Sequence, residues 1–420
     1  MSEIEGESMK IFNTLGKRLE EFHPVNPKEV TIFTCGPSVY QRAHIGNFRT
    51  FLFEDIVVRY LRYAGYSVKR GMNYTDVEDK AVKEAHNRRV SVAELTAVNI
   101  RGFRQEMKEL GMEMPDYFPR ASENIDNAID IIEILMEKGT AYRHGRNIYF
   151  DPLKFPGFGK LYGLDMKKWP GHRRRFHLDT YPGMRWNLGD FILWHGCGPG
   201  ERACWDTRIG SGRPSWNVQD QSMILPYFHE TLSIYMGGID NLVRHHDYII
   251  AVLESVRPYP VARYWLHCRH LYVNGKKMSK SLGNIVYTSD VTGNGHSLSE
   301  LRFFLIYSHY RDRVNYTEKN MAAAASLLRD ARSLVKKISL AAKNGPGKKI
   351  AGEGGFARDL EAAFRAGMEN DLNLKEAFDL LYAVLVKASG GALTTGREAA
   401  RAMHALREID GVLGVLFQEI

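Results

Sequence analysis

Val30-Thr31-Ile32-Phe33-Thr34-Cys35 is a short, unbroken run of mostly apolar and β-branched residues, and Gly36-Pro37-Ser38 ends it. A run of that length bounded by Gly and Pro reads as a buried strand. From Gly46 to Ala64, apolar residues recur at helical spacing (Phe48, Phe51, Leu52, Ile56, Leu61), and Gly65 follows as a C-cap. Ser67 to Tyr74 reads as a second strand. Strand, helix and strand in this order predict parallel, right-handed pairing. A ligand loop after the first strand suits a doubly wound nucleotide-binding sheet.

Outward from this unit, Ser91-Val92-Ala93-Glu94 and Ser297-Leu298-Ser299-Glu300 are capping boxes. Residues 123–138 carry an apolar stripe ending at Gly139. Between Tyr142 and Pro214 the chain is rich in Gly, Pro, Trp and Arg, which reads as an insertion of short strands and loops. Its Arg173-Arg174-Arg175 run reads as a solvated basic loop. From Thr317 onward the pattern is helical. Lys343-Asn344-Gly345-Pro346-Gly347 and Gly352-Glu353-Gly354-Gly355 interrupt it as an exposed linker. Helical stretches follow at Phe356–Met368, at Leu374–Ala388 and from about Arg397 to Phe417. No repeat of fixed period is present.

A length of 420 residues allows two or three domains with a real core. The 44% hydrophobic and 25% charged composition is that of an ordinary globular chain. No apolar run approaches a membrane span, so no membrane partner is expected. The acidic start, Met1-Ser2-Glu3-Ile4-Glu5-Gly6-Glu7, is unlike a secretory signal. Four cysteines (Cys35, Cys197, Cys204, Cys268) form no CxxC pair, and no disulfide framework is expected. The reducing cytoplasm is the simple location. A net charge of +8 favours anionic partners such as ATP or RNA.

Two motifs carry chemistry. His44-Ile45-Gly46-Asn47 opens the first helix, where backbone N–H groups and the helix dipole favour anions. His44 can donate from its ring, Asn47 can offer its amide to ribose or phosphate, and Gly46 leaves room for a flat base. Lys277-Met278-Ser279-Lys280-Ser281 follows the turn signal Asn274-Gly275, so Lys277 and Lys280 sit on one hairpin or loop. Either motif alone reads as well as a structural turn or a solvated lysine loop. Together they suit attack of a carboxylate on the α-phosphate of ATP, where charge builds on phosphate and on departing pyrophosphate.

In order and context these motifs resemble the HIGH and KMSKS elements of class I aminoacyl-tRNA synthetases. Further stretches look like the cysteinyl-tRNA synthetase family: Thr34-Cys35-Gly36-Pro37-Ser38-Val39-Tyr40, Asn73-Tyr74-Thr75-Asp76-Val77-Glu78-Asp79-Lys80 and Gly212-Arg213-Pro214-Ser215-Trp216. So do Gly237-Gly238-Ile239-Asp240, His245-His246 and Asn370-Asp371-Leu372-Asn373. The resemblance implies an α/β fold: a Rossmann-type class I synthetase catalytic domain with an insertion, followed by an all-α helical bundle. The expected division is 1–140 and 215–296 for the two halves of the catalytic domain, 141–214 for a connective insertion and 297–420 for the bundle. His44, Asn47, Lys277 and Lys280 are the expected catalytic residues. Gly46, Gly237, Gly238, Asp240 and Ser281 are expected to hold ATP, with Mg²⁺. Cys35, Thr75, Trp216, Asp220 and His245 are expected to line the amino-acid pocket.

Two departures qualify the resemblance. The family reads cysteine through a zinc ion with Cys, Cys, His and Glu ligands. Here Cys35 and His245 match, but Asp220 stands at the second position and Ile249 at the fourth. Cys35, Asp220 and His245 are thus an incomplete zinc set, and zinc is expected to be absent or weakly held. The chain also ends at Ile420, where the family's anticodon-binding module would begin, so tRNA is expected as a partner without anticodon reading, and the chain as a monomer. A tail of this kind also occurs in the mycothiol-pathway ligase, which keeps the zinc ligands. The expected function is ATP-dependent amino-acid activation through an aminoacyl-adenylate, then acyl transfer, as in a cysteine–tRNA ligase. The alternatives are a ligase that passes an activated amino acid to a small-molecule or protein acceptor, and a non-catalytic synthetase-like regulator.

Overall fold

A computed structural model describes residues 9–164, 190–198, 200–201, 203–278, 282–343, 355–388 and 395–417. The chain starts with a hairpin of β1 (Lys10–Asn13) and β2 (Arg18–Glu21). The expected strand–helix–strand unit is β3 (Val30–Thr34), α1 (Ile45–Tyr63) and β4 (Val68–Met72). Helices α2 (Asp79–Arg88), α3 (Val92–Glu109) and α4 (Ile125–Glu137) follow. Next come β5 (Ala141–His144), β6 (Asn147–Phe150), β7 (Phe191–Gly196) and β8 (Gly212–Pro214). The chain then runs through α5 (Trp216–Ile224), β9 (Leu232–Gly238), α6 (Asp247–Val256) and β10 (Ala262–Cys268). After them come β11 (Leu271–Val273), β12 (Lys276–Lys277), α7 (Thr288–Gly293), α8 (Leu298–Ile306) and β13 (Val314–Tyr316). Four helices complete the chain: α9 (Glu318–Lys343), α10 (Gly355–Glu369), α11 (Leu374–Lys387) and α12 (Gly396–Leu413).

The central sheet has the order β10-β9-β3-β4, and every pairing is parallel. All five residues of β3 are buried, as a strand covered on both faces requires. Its alternating side chains divide the core. Ile32, with Ile234 and Leu266, joins the cluster built with Phe48, Leu52 and Ile56 of α1. Phe33, with Tyr235 and Trp265, joins the opposite cluster with Ile249 and Ile250 of α6. The chain leaves β3 for β4 on one side and later returns to β9 on the other. The strand order therefore reverses beside β3, and a crevice opens at the carboxyl ends of these strands.

The expected capping boxes form: Ser91 with Glu94 and Ser297 with Glu300. β5 to β8 make a separate antiparallel sheet within the expected insertion. The arginine run at 173–175 and most of the glycine-rich linker lie outside the described residues. Buried Arg302 ties the bundle to the catalytic domain. Its guanidinium donates to Leu413 O (2.8 Å), Leu110 O (2.9 Å) and Asp55 Oδ2 (3.0 Å). In the Asn370-Asp371-Leu372-Asn373 stretch, Asp371 accepts from Phe12 N (2.7 Å), Tyr310 Oη (2.9 Å) and Arg311 Nε (2.7 Å). It thereby pins the α10–α11 turn to β1.

Two expectations need correction. Cys197 and Cys204 are joined by a disulfide, which closes a small loop between β7 and β8. Their spacing lacks the CxxC signature, and the hairpin fold brings them together. The last helix stops at Leu413 rather than Phe417. Gly414 adopts the left-handed conformation (φ 65°), and the Asp410 carboxylate takes the N–H groups of Val415, Leu416 and Phe417, which then cannot extend the helix. Among the described residues no helix is long and apolar enough to cross a membrane.

Candidate active site

The crevice at the switch point is a cleft of about 400 Å³. Its wall brings together residues from the loop after β3, the start of α1, the ends of β4 and β9, α5 and the β11–β12 hairpin. Of the expected site residues it contains His44, Gly46, Asn47, Lys277, Gly238, Asp240, Cys35, Thr75, Trp216, Asp220 and His245. Gly237 is not on that wall. A Cβ there would lie 2.8 Å from the His246 ring, so this glycine makes room for a histidine. Lys280 and Ser281 lie outside the described residues.

His44 is the N-cap of α1. Its Nδ1 accepts from Asn47 N (3.2 Å), and Asn47 Oδ1 accepts from His44 N (3.0 Å). This reciprocal box satisfies two orphan donors of the helix start and uses one polar atom of each side chain. It leaves His44 Nε2 and the Asn47 amide nitrogen for a ligand. Burial lowers the His44 pKa, so the ring is neutral at pH 7. At Gly46 a Cβ would meet Met278 Cε at 2.4 Å, so the motif holding Lys277 packs directly on the motif holding His44. Asn274 (φ 49°) and Gly275 (φ 76°) make the tight turn that their sequence signals, and exposed Lys277 reaches His270 Nε2 (3.3 Å).

Deeper in the cleft lies a fully buried polar cluster centred on Asp220. Oδ2 of Asp220 accepts from Cys35 Sγ (3.3 Å) and Tyr235 Oη (3.0 Å), and His245 Nε2 lies 3.0 Å away. Oδ1 accepts from Asn73 Nδ2 (3.0 Å). Burial alone would raise the Asp220 pKa, but the charge and hydrogen bond of His245 and the Cys35 and Tyr235 bonds outweigh it, holding the carboxyl below its usual value. Burial and then the Asp220 charge push the Cys35 thiol well above its ordinary range. Trp216 stacks on His245 with centroids 4.0 Å apart and planes 7° from parallel.

A chain of hydrogen bonds leads away from this cluster. Cys35 Sγ is 3.1 Å from His246 Nε2, His246 Nδ1 is 2.8 Å from His267 Nε2, and His267 Nδ1 is 2.9 Å from Thr14 Oγ1. Burial depresses His246 strongly, with the His267 and His245 charges adding to it, and pushes His267 down to about 3. Both rings are neutral and each has one donor and one acceptor. Since the Cys35 thiol donates to Asp220, the direction follows: Thr14 donates to His267, His267 to His246, and His246 to Cys35.

His246, Tyr235, His267 and Thr14 were not among the expected site residues. His246 carried a signal, being adjacent to His245. Tyr235 carried none, because every residue of β9 up to Gly237 is buried and the pattern does not tell its hydroxyl from core.

A family model for the tRNA synthetases class I (C) catalytic domain matches residues 21–326. The chain belongs to this class I tRNA synthetase family. The Cysteine–tRNA ligase of Chlamydia pneumoniae is 35% identical over 428 residues, covering 99% of this chain and 87% of that one. The Cysteine–tRNA ligase of Koribacter versatilis is 36% identical over 415 residues, covering 97% and 82%. Among solved structures, a Mycobacterium tuberculosis methionyl-tRNA synthetase in complex with methionyl-adenylate superposes with a TM-score of 0.67 at 16% identity, covering 93% of this chain and 90% of that chain. At that identity the likeness concerns the fold. As a class I synthetase family member, the chain is a ligase of the aminoacyl-tRNA synthetase type that uses ATP.

The family's zinc set does not fit these residues. Ile249 is fully buried among apolar side chains and offers no donor atom. Asp220 is already met by four protein groups. Cys35, Asp220, His245 and His246 touch at 3.0–3.3 Å, as hydrogen-bonded atoms do, whereas atoms sharing one tetrahedral zinc stand about 3.4–3.7 Å apart. Cys35 Sγ and one nitrogen each of His245 and His246 do lie within 4.8 Å of one another, so a cation entering an opened cluster would meet these three first.

Proposed function

We propose that this ligase activates an amino acid as its adenylate and passes the acyl group to tRNA, as its Cysteine–tRNA ligase relatives are named for doing. The carrying observation is that His44 and Asn47 at the N-terminus of α1 and Lys277 on a distant hairpin share one cleft at the switch point. The amino-acid carboxylate attacks the α-phosphate of ATP, and pyrophosphate leaves. Lys277 and Lys280 meet the charge on the departing phosphates. His44 Nε2, the Asn47 amide and the first N–H groups of α1 face the charge on the α-phosphate. Mg²⁺ would ride on the phosphates and neutralise part of their charge. Gly46, Gly238, Asp240 and Ser281 form the adenosine side, while Cys35, Thr75, Trp216, Asp220 and His245 form the amino-acid side. In the second step an acceptor hydroxyl attacks the acyl carbon and AMP leaves.

In this reading the parts divide at 140, 214 and 296 into two catalytic halves, the intervening sheet and the bundle, and the chain works as a cytoplasmic monomer. Its charge of +8 makes RNA binding salt-dependent. A second reading, transfer to a small-molecule or protein acceptor, is favoured by Asp220 and Ile249, which alter the pocket that reads cysteine in the family. The test is amino-acid-dependent ATP–pyrophosphate exchange, followed by charging of a tRNA panel. Exchange with no amino acid removes the adenylate reading; exchange without charging favours the second acceptor class.

A further inference from the structure

We propose that Cys197, Glu201 and Cys204, once their disulfide is reduced, hold one thiophilic divalent cation, zinc above all, in the loop between β7 and β8. The inference concerns the inserted sheet and stands apart from the adenylate reading. Four observations carry it.

First, the ligand atoms are together. Among the described residues, the sulfurs of Cys197 and Cys204 and a carboxylate oxygen of Glu201 lie within 4.8 Å of one another. Second, the backbone holds the two cysteines close without the sulfur–sulfur bond. Cys197 follows β7 directly, and its N–H donates to Ser211 O (3.0 Å). On the other side of Cys204, Trp205 N donates to Gly212 O (2.8 Å) and Gly212 N to Trp205 O (3.0 Å). The two Cα atoms stand 6.3 Å apart. Side-chain rotation opens the sulfurs to the roughly 3.8 Å that two thiolates on one tetrahedral zinc require. Third, the carboxylate is already turned back over the loop, because Gly198 N donates to Glu201 Oε1 (3.0 Å). Fourth, the charges suit a divalent ion. Two thiolates and Glu201 carry three negative charges. The cation offsets two, and the Arg213 guanidinium, 3.7 Å from Glu201 Oε2, faces the third. Thiolate ligands select zinc over Mg²⁺ or Ca²⁺, and water takes the fourth position.

The step balances. A thiol or phosphine reductant supplies two electrons, the Cys197–Cys204 bond breaks, and two protons from water or the reductant complete the thiols. Binding of the cation releases those two protons. In a reducing compartment the cation then closes the loop that the disulfide closes under oxidising conditions.

The experiment is anaerobic titration of the full chain with Co²⁺ and then Zn²⁺, before and after reduction. The expected result is one Co²⁺ per chain with thiolate-to-cobalt absorption, displaced by zinc, in the reduced protein alone. Zinc should raise the melting temperature of the reduced protein and leave that of the unreduced protein unchanged. Cys197→Ser with Cys204→Ser should abolish the absorption. Glu201→Gln keeps both sulfurs and should weaken binding by about tenfold or more. That variant and the comparison of reduced with unreduced protein leave every cysteine in place, so the test does not depend on how the double serine variant folds. Reduced wild type without thiolate-to-cobalt absorption would overturn the proposal. So would absorption in the unreduced protein, whose free thiols are Cys35 and Cys268. Absorption that survives in the double serine variant and disappears in Cys35→Ser would place the cation in the amino-acid pocket and overturn it as well.

Discussion

Ile249 follows His245 by four residues, yet the two side chains stand in different surroundings. His245 Nε2 lies 3.0 Å from the Asp220 carboxylate, while Ile249 is fully buried in the apolar cluster of Phe33, Tyr235 and Trp265. One turn of chain thus separates a polar pocket from the hydrophobic core.

That boundary makes the missing metal set testable. Ile249→Glu alone places a carboxylate in the core and should destabilise the protein by about 3 kcal/mol or more. With Asp220→Cys added, the four family ligand types are present. The double variant should bind zinc stoichiometrically and melt higher with zinc than with chelator. A melting temperature indifferent to zinc would show that the pocket cannot open for the ion.

The lysine loop should control the first chemical step. Lys280→Ala should slow ATP–pyrophosphate exchange about a hundredfold or more, the usual loss on removing one group that meets transition-state charge. Lys277→Ala should act in the same direction. Exchange at the wild-type rate in either variant would remove that lysine from the mechanism.

His44 should make stability depend on pH. Its folded pKa is lowered by burial, so between that value and about 6.5 the unfolded chain binds the extra proton. Stability therefore rises with pH through this window. The contribution is complete above about pH 6.5 and lost as pH falls through the folded value, where protonated Nδ1 can no longer accept from Asn47 N. His44→Asn keeps a good N-cap, so the pH slope of its denaturation midpoint should shrink by the His44 share, the rest belonging to buried His195, His246 and His267, while exchange falls steeply. An unchanged slope would place the titration elsewhere.

Arg302 should hold the bundle to the catalytic domain. Arg302→Leu leaves Asp55 with one guanidinium fewer and strips partners from the Leu110 and Leu413 carbonyls. The cost should be about 3–5 kcal/mol, read from denaturant unfolding. A shift below 1 kcal/mol would mean that Arg59, which also pairs with Asp55, suffices.

The Cys197–Cys204 bond closes a short loop and should contribute about 2 kcal/mol through the unfolded state. Reduction, or Cys197→Ser with Cys204→Ser, should lower the melting temperature by a few degrees. Free-thiol titration of the unreduced protein in denaturant, where buried Cys35 and Cys268 also react, tests the bond itself: two thiols are expected, and four would show it absent.

Much was legible in the sequence because the signals are local. An apolar run closed by Gly36-Pro37 specifies β3, helical spacing specifies α1, and Ser-x-x-Glu specifies two helix starts. The His44 and Lys277 motifs, each weak alone, acquire meaning as a pair. What the sequence did not carry depends on contacts between distant residues. The disulfide has no spacing signature. The last helix loses its final turn because the Asp410 carboxylate competes for the backbone N–H groups beyond it. Tyr235 and His267 look like core in a buried strand, since period-two alternation vanishes when both faces are covered. By itself the sequence determined the class I fold and the absence of a complete set of the family's zinc ligands, because each follows from residue identity at close spacing. The tertiary structure alone decided that Asp220 is met by four donors, that the two imidazoles beyond Cys35 point one way, and that among the described residues Nδ1 of His245 has no hydrogen-bond partner. Those facts depend on which buried hydrogen-bonding atoms meet, and only packing sets that.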